Sequence, residues 1–233
     1  MNQPPGGGEE RARYVRRMFG RIAHRYDLMN RLMTGGQDLR WRREVIHRAT
    51  LPPGGRLLDL GAGTGDLARL ALRQNQDCRP VAADFTLEMM RFGKARRESL
   101  EWCAGDALQL PFPDETFHAV VSGFLLRNVY DVPACLNEQY RALKPGGRIV
   151  ILDTTRPSRN WYWPLIYFHL NTVIPTLGEW VAGDRQAYTY LPDSTQSFLT
   201  AEQLEDAMKI AGFREIDFQR AMLGTIAIHW GSK

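Results

Sequence analysis

The chain has 233 residues, 44% of them hydrophobic and 24% charged, with a formal net charge of +4; this suits one buried α/β core with appendages rather than two full domains. The modest basicity does not require nucleic acid as a partner, and the three scattered cysteines, Cys78, Cys103 and Cys135, lack metal-ligand spacing and read as reduced thiols of a cytoplasmic protein. The opening MNQPPGGG carries no apolar stretch, so no secretory leader is expected there.

Between Glu9 and Asn30, the apolar residues Tyr14, Val15, Met18, Phe19, Ile22 and Tyr26 recur at helical spacing, with arginines on the other face. This predicts an amphipathic N-terminal arm whose basic face suits either solvent or anionic lipid headgroups. A second helix is expected over residues 39–49, stopped by Pro52, Pro53, Gly54 and Gly55. Strands at 56–60, 80–84, 100–103, 117–122 and 148–153 then alternate with helices at 66–74, 87–97 and 132–143, and the KPGG at 144–147 makes a turn. Successive βα units imply a parallel sheet with right-handed crossovers. A helix at 201–211 and a hairpin of strands at 213–219 and 222–230 complete seven strands, one of them antiparallel. Residues 1–50 thus form a helical arm or lid on a domain spanning 51–233.

An apolar insertion at 160–181, NWYWPLIYFHLNTVIPTLGEWV, interrupts this alternation. Pro164, Asn171, Pro175 and Glu179 break the run of about 20 apolar residues that a bilayer span needs. The segment reads either as a lid that binds an apolar tail or as a cover helix packed on the sheet.

The stretch LLDLGAGTGDLA, residues 57–68, joins a strand to a helix through Gly61, Gly63, Thr64 and Gly65. The dinucleotide fingerprint would have glycine or alanine where Asp66 stands, and no P-loop lysine is present. Asp59 and Asp66 would repel a pyrophosphate but favour an ammonium or sulfonium ligand, which points to S-adenosylmethionine. In an open α/β sheet the ligand sits beyond the carboxyl ends of the strands. There Asp84, beside Phe85, can accept hydrogen bonds from ribose hydroxyls, or it can cap the next helix. Asp106 and Ala107 can meet the adenine edge. Gly123 and Phe124 fall near the methionine portion, and Arg127 and Asn128, on the following loop, are the candidate catalytic residues.

Taken together, these residues resemble the ubiquinone and menaquinone biosynthesis C-methyltransferase family, within the Rossmann-like class I S-adenosylmethionine-dependent methyltransferases. The resemblance rests on YDLMN (26–30) with Trp41, the glycine turn, GDALQLPFPDETF (105–117), GFLLRNV (123–129), RALKPGGRIVILDTT (141–155) and AYTYLPDS (187–194). Four positions depart from the family pattern: Asp38 replaces a usual His, Thr34 a usual Ser, and Asp153 and Thr155 the usual Glu and Ser.

The resemblance implies C-methylation of a polyprenylated quinol, 2-demethylmenaquinol to menaquinol foremost, with a benzoquinol of the ubiquinone pathway or another phenolic or lipid acceptor as the alternative. It implies no metal. Arg127 would stabilise a developing phenolate while Asn128 orients the hydroxyl or a water. His24, His169, Tyr188 and Asp38 are candidate proton acceptors. The arm would close over cofactor and ring, with Tyr26 near the methionine portion, and residues 160–181 would hold the prenyl tail. A substrate so apolar implies transient contact with the inner face of the cell membrane. Oligomeric state is left open, a homodimer included. A non-catalytic cofactor-binding subunit and a dinucleotide oxidoreductase are the rival readings.

Overall fold

The computed structural model describes residues 8–96, 100–157 and 161–233. Seven strands form one sheet in the order β3-β2-β1-β4-β5-β7-β6. They are β1 (Arg56–Leu60), β2 (Arg79–Asp84), β3 (Glu101–Ala104), β4 (Phe117–Gly123), β5 (Leu143–Thr154), β6 (Arg214–Ala221) and β7 (Ile226–Ser232). The first five pair in parallel, while β7 pairs antiparallel with both β5 and β6, so β7 alone runs against the rest.

Alternation along the strands sends side chains to two cores. Leu58, Leu60, Val120, Ile149 and Ile151 face α6 (Val132–Ala142) and α10 (Ala201–Ile210), whereas Leu57, Val121, Val150 and Leu152 face α3 (Asp38–Arg48) and α4 (Asp66–Gln74). Helix α5 (Leu87–Lys94) packs against β2. The KPGG segment does turn, as a bulge within β5: Phe117 pairs with Leu143 and Ala119 with Arg148, so residues 144–147 are looped out of the ladder.

The N-terminal arm departs from the expected continuous helix. It divides into α1 (Gly8–Ile22) and α2 (Tyr26–Thr34), broken by a turn over residues 23–25, where Arg25 has φ −114° and ψ −3°. No proline or glycine marks the break. It lets Met18 and Ile22 of α1 and Met29 and Met33 of α2 bury against a single partner, the insertion.

That insertion forms α7 (Trp163–Phe168) and α8 (Ile174–Leu177), each followed by a π-helical turn, His169–Val173 and Gly178–Ala182. Residue 160, its expected start, and residue 97, the expected end of α5, lie outside the described residues. Helix α9 (Arg185–Ser197) follows, with Pro192 inside it. Ile166, Leu170, Ile174, Tyr188 and Tyr190 join the arm's methionines in a third core. The segment therefore builds a helical layer with α1 and α2 and is not a cover helix on the sheet. Asp184 fixes the layer twice, accepting the Ala187 amide (2.9 Å) at the start of α9 and pairing with Arg21 of α1 (2.9 Å). Among the described residues no helix is long and apolar enough to cross a membrane.

Candidate active site

Beyond β1 the chain turns through Gly61, Gly63 and Gly65 at φ of +67°, +58° and +84°, left-handed values that favour glycine. The turn is clamped by Asp84 at the end of β2. One carboxylate oxygen accepts the Gly63 amide at 2.6 Å and the other accepts the Thr86 amide at 2.6 Å. Asp84 thus steadies the start of α5 and the glycine turn together, and each oxygen keeps a lone pair for a further donor. Burial raises its pKa against the pull of these amides.

Three cavities meet this turn or the loop after β4. The largest, about 850 Å³, is lined by Gly61, Gly63, Asp84, Phe85, Asp106, Ala107, Gly123 and Asn128, and by Ala12, Val15 and Phe19 of α1 as its cover. Phe85 sits half-exposed beneath the Arg16 guanidinium, 5.3 Å from the ring centroid. Asp106 accepts the Leu108 amide (2.9 Å), a local turn that holds its carboxylate at the rim.

A smaller polar cavity, about 290 Å³, lies behind the glycines and is lined by Tyr26, Asp27, Arg42, Asp59, Thr64 and Asp66. Asp59 is buried and accepts the Ala68 amide (2.9 Å); desolvation pushes its pKa to about 7, against the opposing effects of that amide and Arg42. Burial also raises Asp66, but Arg42, Arg96 and Arg69 outweigh it and hold this carboxyl below the usual range. Arg42 is 7% exposed and lies 3.6 Å from Asp38, and its Nε has no hydrogen-bond partner among the described residues. Tyr26 lines both cavities. The donor set fits a zwitterion: carboxylates for an ammonium and a buried guanidinium for a carboxylate.

Not every expected residue faces open space. Thr64 borders the small cavity, but its hydroxyl is engaged by Asp27 at 2.9 Å. Gly65 abuts Trp102, whose ring would lie 2.8 Å from any Cβ there. Gly65 therefore serves close packing between turn and strand. Arg127 and Asn128, adjacent in sequence, are separated by the fold. Asn128 borders the large cleft, its side-chain amide donating to the Phe124 carbonyl (2.8 Å).

Arg127 instead borders a third cavity, about 500 Å³ with its open mouth included, between the end of β5 and the helical layer. It is 4% exposed, its Nε is 3.5 Å from Asp153 and its Nη1 donates to Ser194 (2.8 Å). Phe124, at φ +61°, is the wall between the cleft and this third cavity. A non-glycine residue there is strained, a condition that concentrates at functional sites.

The four candidate proton acceptors separate as well. His24 is exposed. Asp38 is buried and bound to Thr34 and Arg42. Burial raises the Tyr188 hydroxyl well above its ordinary value. His169 alone among the four lines the Arg127 cavity; its Nε2 lies 3.1 Å from the Met33 carbonyl, which places a proton on that nitrogen and leaves Nδ1 as an acceptor. Sequence reading missed Asp27 and Arg42. A signal existed for the second, since Arg42 falls beside Trp41, Val45 and Ile46 on the apolar stripe of α3, where a charge needs a reason.

Comparison with solved structures agrees on the fold. A Thermotoga maritima SAM-dependent methyltransferase superposes with a TM-score of 0.66 at 21% identity, covering 93% of this chain and 98% of that one. The [4+2]-cyclase SpnF superposes nearly as well, at 0.64 and 21% identity over 83% and 80% of the two chains, so fold alone does not name the reaction. Sequence relatives are more specific. The ubiquinone/menaquinone biosynthesis C-methyltransferase UbiE of Desulfotalea psychrophila is 48% identical over 94% of this chain and 90% of its own length. The demethylmenaquinone methyltransferase of Thermus thermophilus is 39% identical over 93% of this chain and all of its own. The model of the ubiE/COQ5 methyltransferase family matches residues 8–233, and the chain belongs to that family.

Proposed function

We propose that the protein transfers a methyl group from S-adenosylmethionine to a ring carbon of a polyprenylated quinol, 2-demethylmenaquinol foremost. The observation that supports this reading is the junction at Phe124, where a cleft built on the glycine turn meets a separate cavity that holds a buried arginine. The cleft suits the adenosine portion, with Asp84 receiving ribose hydroxyls and Asp106 and Ala107 facing the adenine edge. The polar cavity suits the amino-acid portion: Asp59 faces its ammonium, Arg42 its carboxylate, and Tyr26 closes the junction between the two. When bound, the cofactor supplies an electrophilic sulfonium methyl.

The chain's own residues then have two tasks, alignment and activation. A quinol carbon becomes nucleophilic when the adjacent hydroxyl, with a pKa of about 10 in a free phenol, loses its proton. Arg127 stays protonated and cannot take that proton. Its charge, buried and directed by Asp153 and Ser194, favours the phenolate over the phenol. We assign His169 Nδ1 as the acceptor of the hydroxyl proton; as the new C–C bond forms, the methyl would leave S-adenosylhomocysteine as a neutral thioether, and the methylated carbon would then release its ring hydrogen as a proton to restore the aromatic quinol. Asn128 braces the strained Phe124 backbone and so fixes the wall at which donor and acceptor meet.

The helical layer also suits contact with a lipid surface. It exposes Leu28 and Leu32 on α2 beside Arg25 and Arg31, and Leu165, Tyr167 and Phe168 on α7, with Trp161 and Trp180 nearby in sequence. Aromatic and basic groups together favour the headgroup region of an anionic membrane, where the acceptor resides.

The test is incubation of the protein with methyl-labelled cofactor and a panel of reduced naphthoquinols and benzoquinols, with mass analysis of products. Label in the prenylated demethylnaphthoquinol is expected, and label confined to a benzoquinol would move the protein to the other quinone pathway.

A further inference from the structure

Resting on the quinol reading above, we infer that the cavity between the end of β5 and the helical layer seats the acceptor's two-oxygen ring, held by Arg127, Thr154 and Thr195. The cavity opens to solvent, and its empty space, mouth included, is about 500 Å³. Much of its wall is apolar, including Met33, Leu170, Ile174 and Leu191.

Against that wall stand three buried polar groups: the Arg127 guanidinium, whose Nε pairs with Asp153 at 3.5 Å, and Oγ1 of Thr154 and Oγ1 of Thr195, which lack a hydrogen-bond partner among the described residues. Their residues are 4%, 8% and 1% exposed. They come from the loop after β4, the end of β5 and the last turn of α9, yet all border one cavity. Buried polar atoms are normally paired, and two unpaired hydroxyls from separate elements around a single apolar space, beside a buried guanidinium, mark where a ligand's polar atoms go.

Their chemistry narrows the ligand. Threonine hydroxyls both donate and accept, so they serve a quinol hydroxyl or a quinone carbonyl equally. The single guanidinium already shares its charge with Asp153, which suits an acceptor that enters neutral, as a quinol does, rather than a phosphate that enters charged. A flat aromatic ring with oxygens on opposite edges satisfies several polar atoms while its faces stay against Leu and Ile. A sterol, with one terminal oxygen, would leave part of the set unpaired.

The test uses the full chain saturated with S-adenosylhomocysteine and titrated calorimetrically with an oxidised, singly prenylated naphthoquinone. Thr154→Val and Thr195→Val keep volume and remove only the hydroxyl. Each is expected to weaken naphthoquinone binding roughly tenfold and to leave the affinity for S-adenosylhomocysteine unchanged, which also shows that the variants fold. Ile174→Trp, which fills the cavity, is expected to abolish naphthoquinone binding with the same control. If all three variants bind naphthoquinone as the wild type does, the ring sits elsewhere and this assignment is overturned while the quinol reading stands. A wild type that binds S-adenosylhomocysteine but neither naphthoquinone nor benzoquinone overturns the quinol reading itself.

Discussion

Arg127 Nε lies 3.5 Å from Asp153 Oδ1, and both side chains are almost wholly buried. Asp153 also accepts the Arg127 amide at 3.3 Å, so the carboxylate orients the arginine at both ends. Removing a buried charge that stabilises a developing oxyanion typically costs roughly 10²–10³ in turnover. Arg127→Ala should lose at least that much while its affinity for S-adenosylhomocysteine, measured calorimetrically, stays within twofold. Arg127→Lys should recover little, because the planar fork shared between Asp153 and Ser194 is lost.

The same pair sets a pH dependence. Desolvation raises Asp153 to about 6 despite the opposing Arg127 charge. Turnover should therefore rise as pH increases through about 6, when the carboxylate that directs Arg127 forms. Asp153→Asn should be slow and lack this limb. For stability the sign is opposite: the folded state holds a proton here that the unfolded chain, titrating near ~3.9, has released, so this group stabilises the fold as pH falls from 6 towards 4.

Cofactor binding should release a proton through Asp59. Its folded pKa of about 7 reflects burial, opposed by the Ala68 amide and Arg42 and supported by Asp66 and Asp84. An ammonium arriving in that cavity favours the carboxylate. Affinity for S-adenosylhomocysteine should rise with pH through about 7, and titrations in buffers of different ionisation enthalpy should register the released proton. Asp59→Asn should bind more weakly and show no such dependence.

Asp84 carries the clamp between the glycine turn and α5, and a charged acceptor lost from two amides is worth about 1.5–3 kcal/mol per bond. Asp84→Ala is expected to weaken cofactor affinity by roughly one hundredfold or more, and Asp84→Asn by less because it keeps an acceptor oxygen. Equilibrium dialysis against labelled S-adenosylmethionine distinguishes these outcomes from no change.

Much of this site could be read from the sequence because it lies on strand ends. The near-continuous apolar runs of β1, β2, β4 and β5 fix where the sheet stops, and the glycines and Asp84 fall at those ends. What could not be read depends on tertiary contact. The break between α1 and α2 carries no local signal and follows from packing on the insertion. Helix α9 contains Pro192, which by itself argues against a helix. The division of Arg127 and Asn128 between two cavities arises from a single 3₁₀ turn, Leu126–Asn128, whose direction the residue types do not reveal.

His229 provides a stability test away from the site. It lies at 1% exposure on β7, with Nε2 2.9 Å from the Ala201 carbonyl, and desolvation lowers its pKa to about 4. The unfolded chain takes up a proton near ~6.5 that the fold refuses until about 4, so this stability is present above 6.5 and is lost as pH falls, on the order of 3 kcal/mol in all. Denaturant unfolding of the wild type and of His229→Gln should show the wild type losing ground to the variant between pH 6.5 and 4. A constant difference would contradict the assignment.

The central claim, methyl transfer to a quinol carbon at the Phe124 junction, is tested most directly by the position of the transferred group. The protein is incubated with S-adenosylmethionine carrying a deuterated methyl and with reduced, prenylated demethylnaphthoquinol, and the product is analysed by fragmentation mass spectrometry. The account predicts the deuterated methyl on the ring carbon, with the product still oxidisable to a quinone, and its near-absence in Arg127→Ala. A label on a ring oxygen, or no label although the cofactor binds, would contradict it.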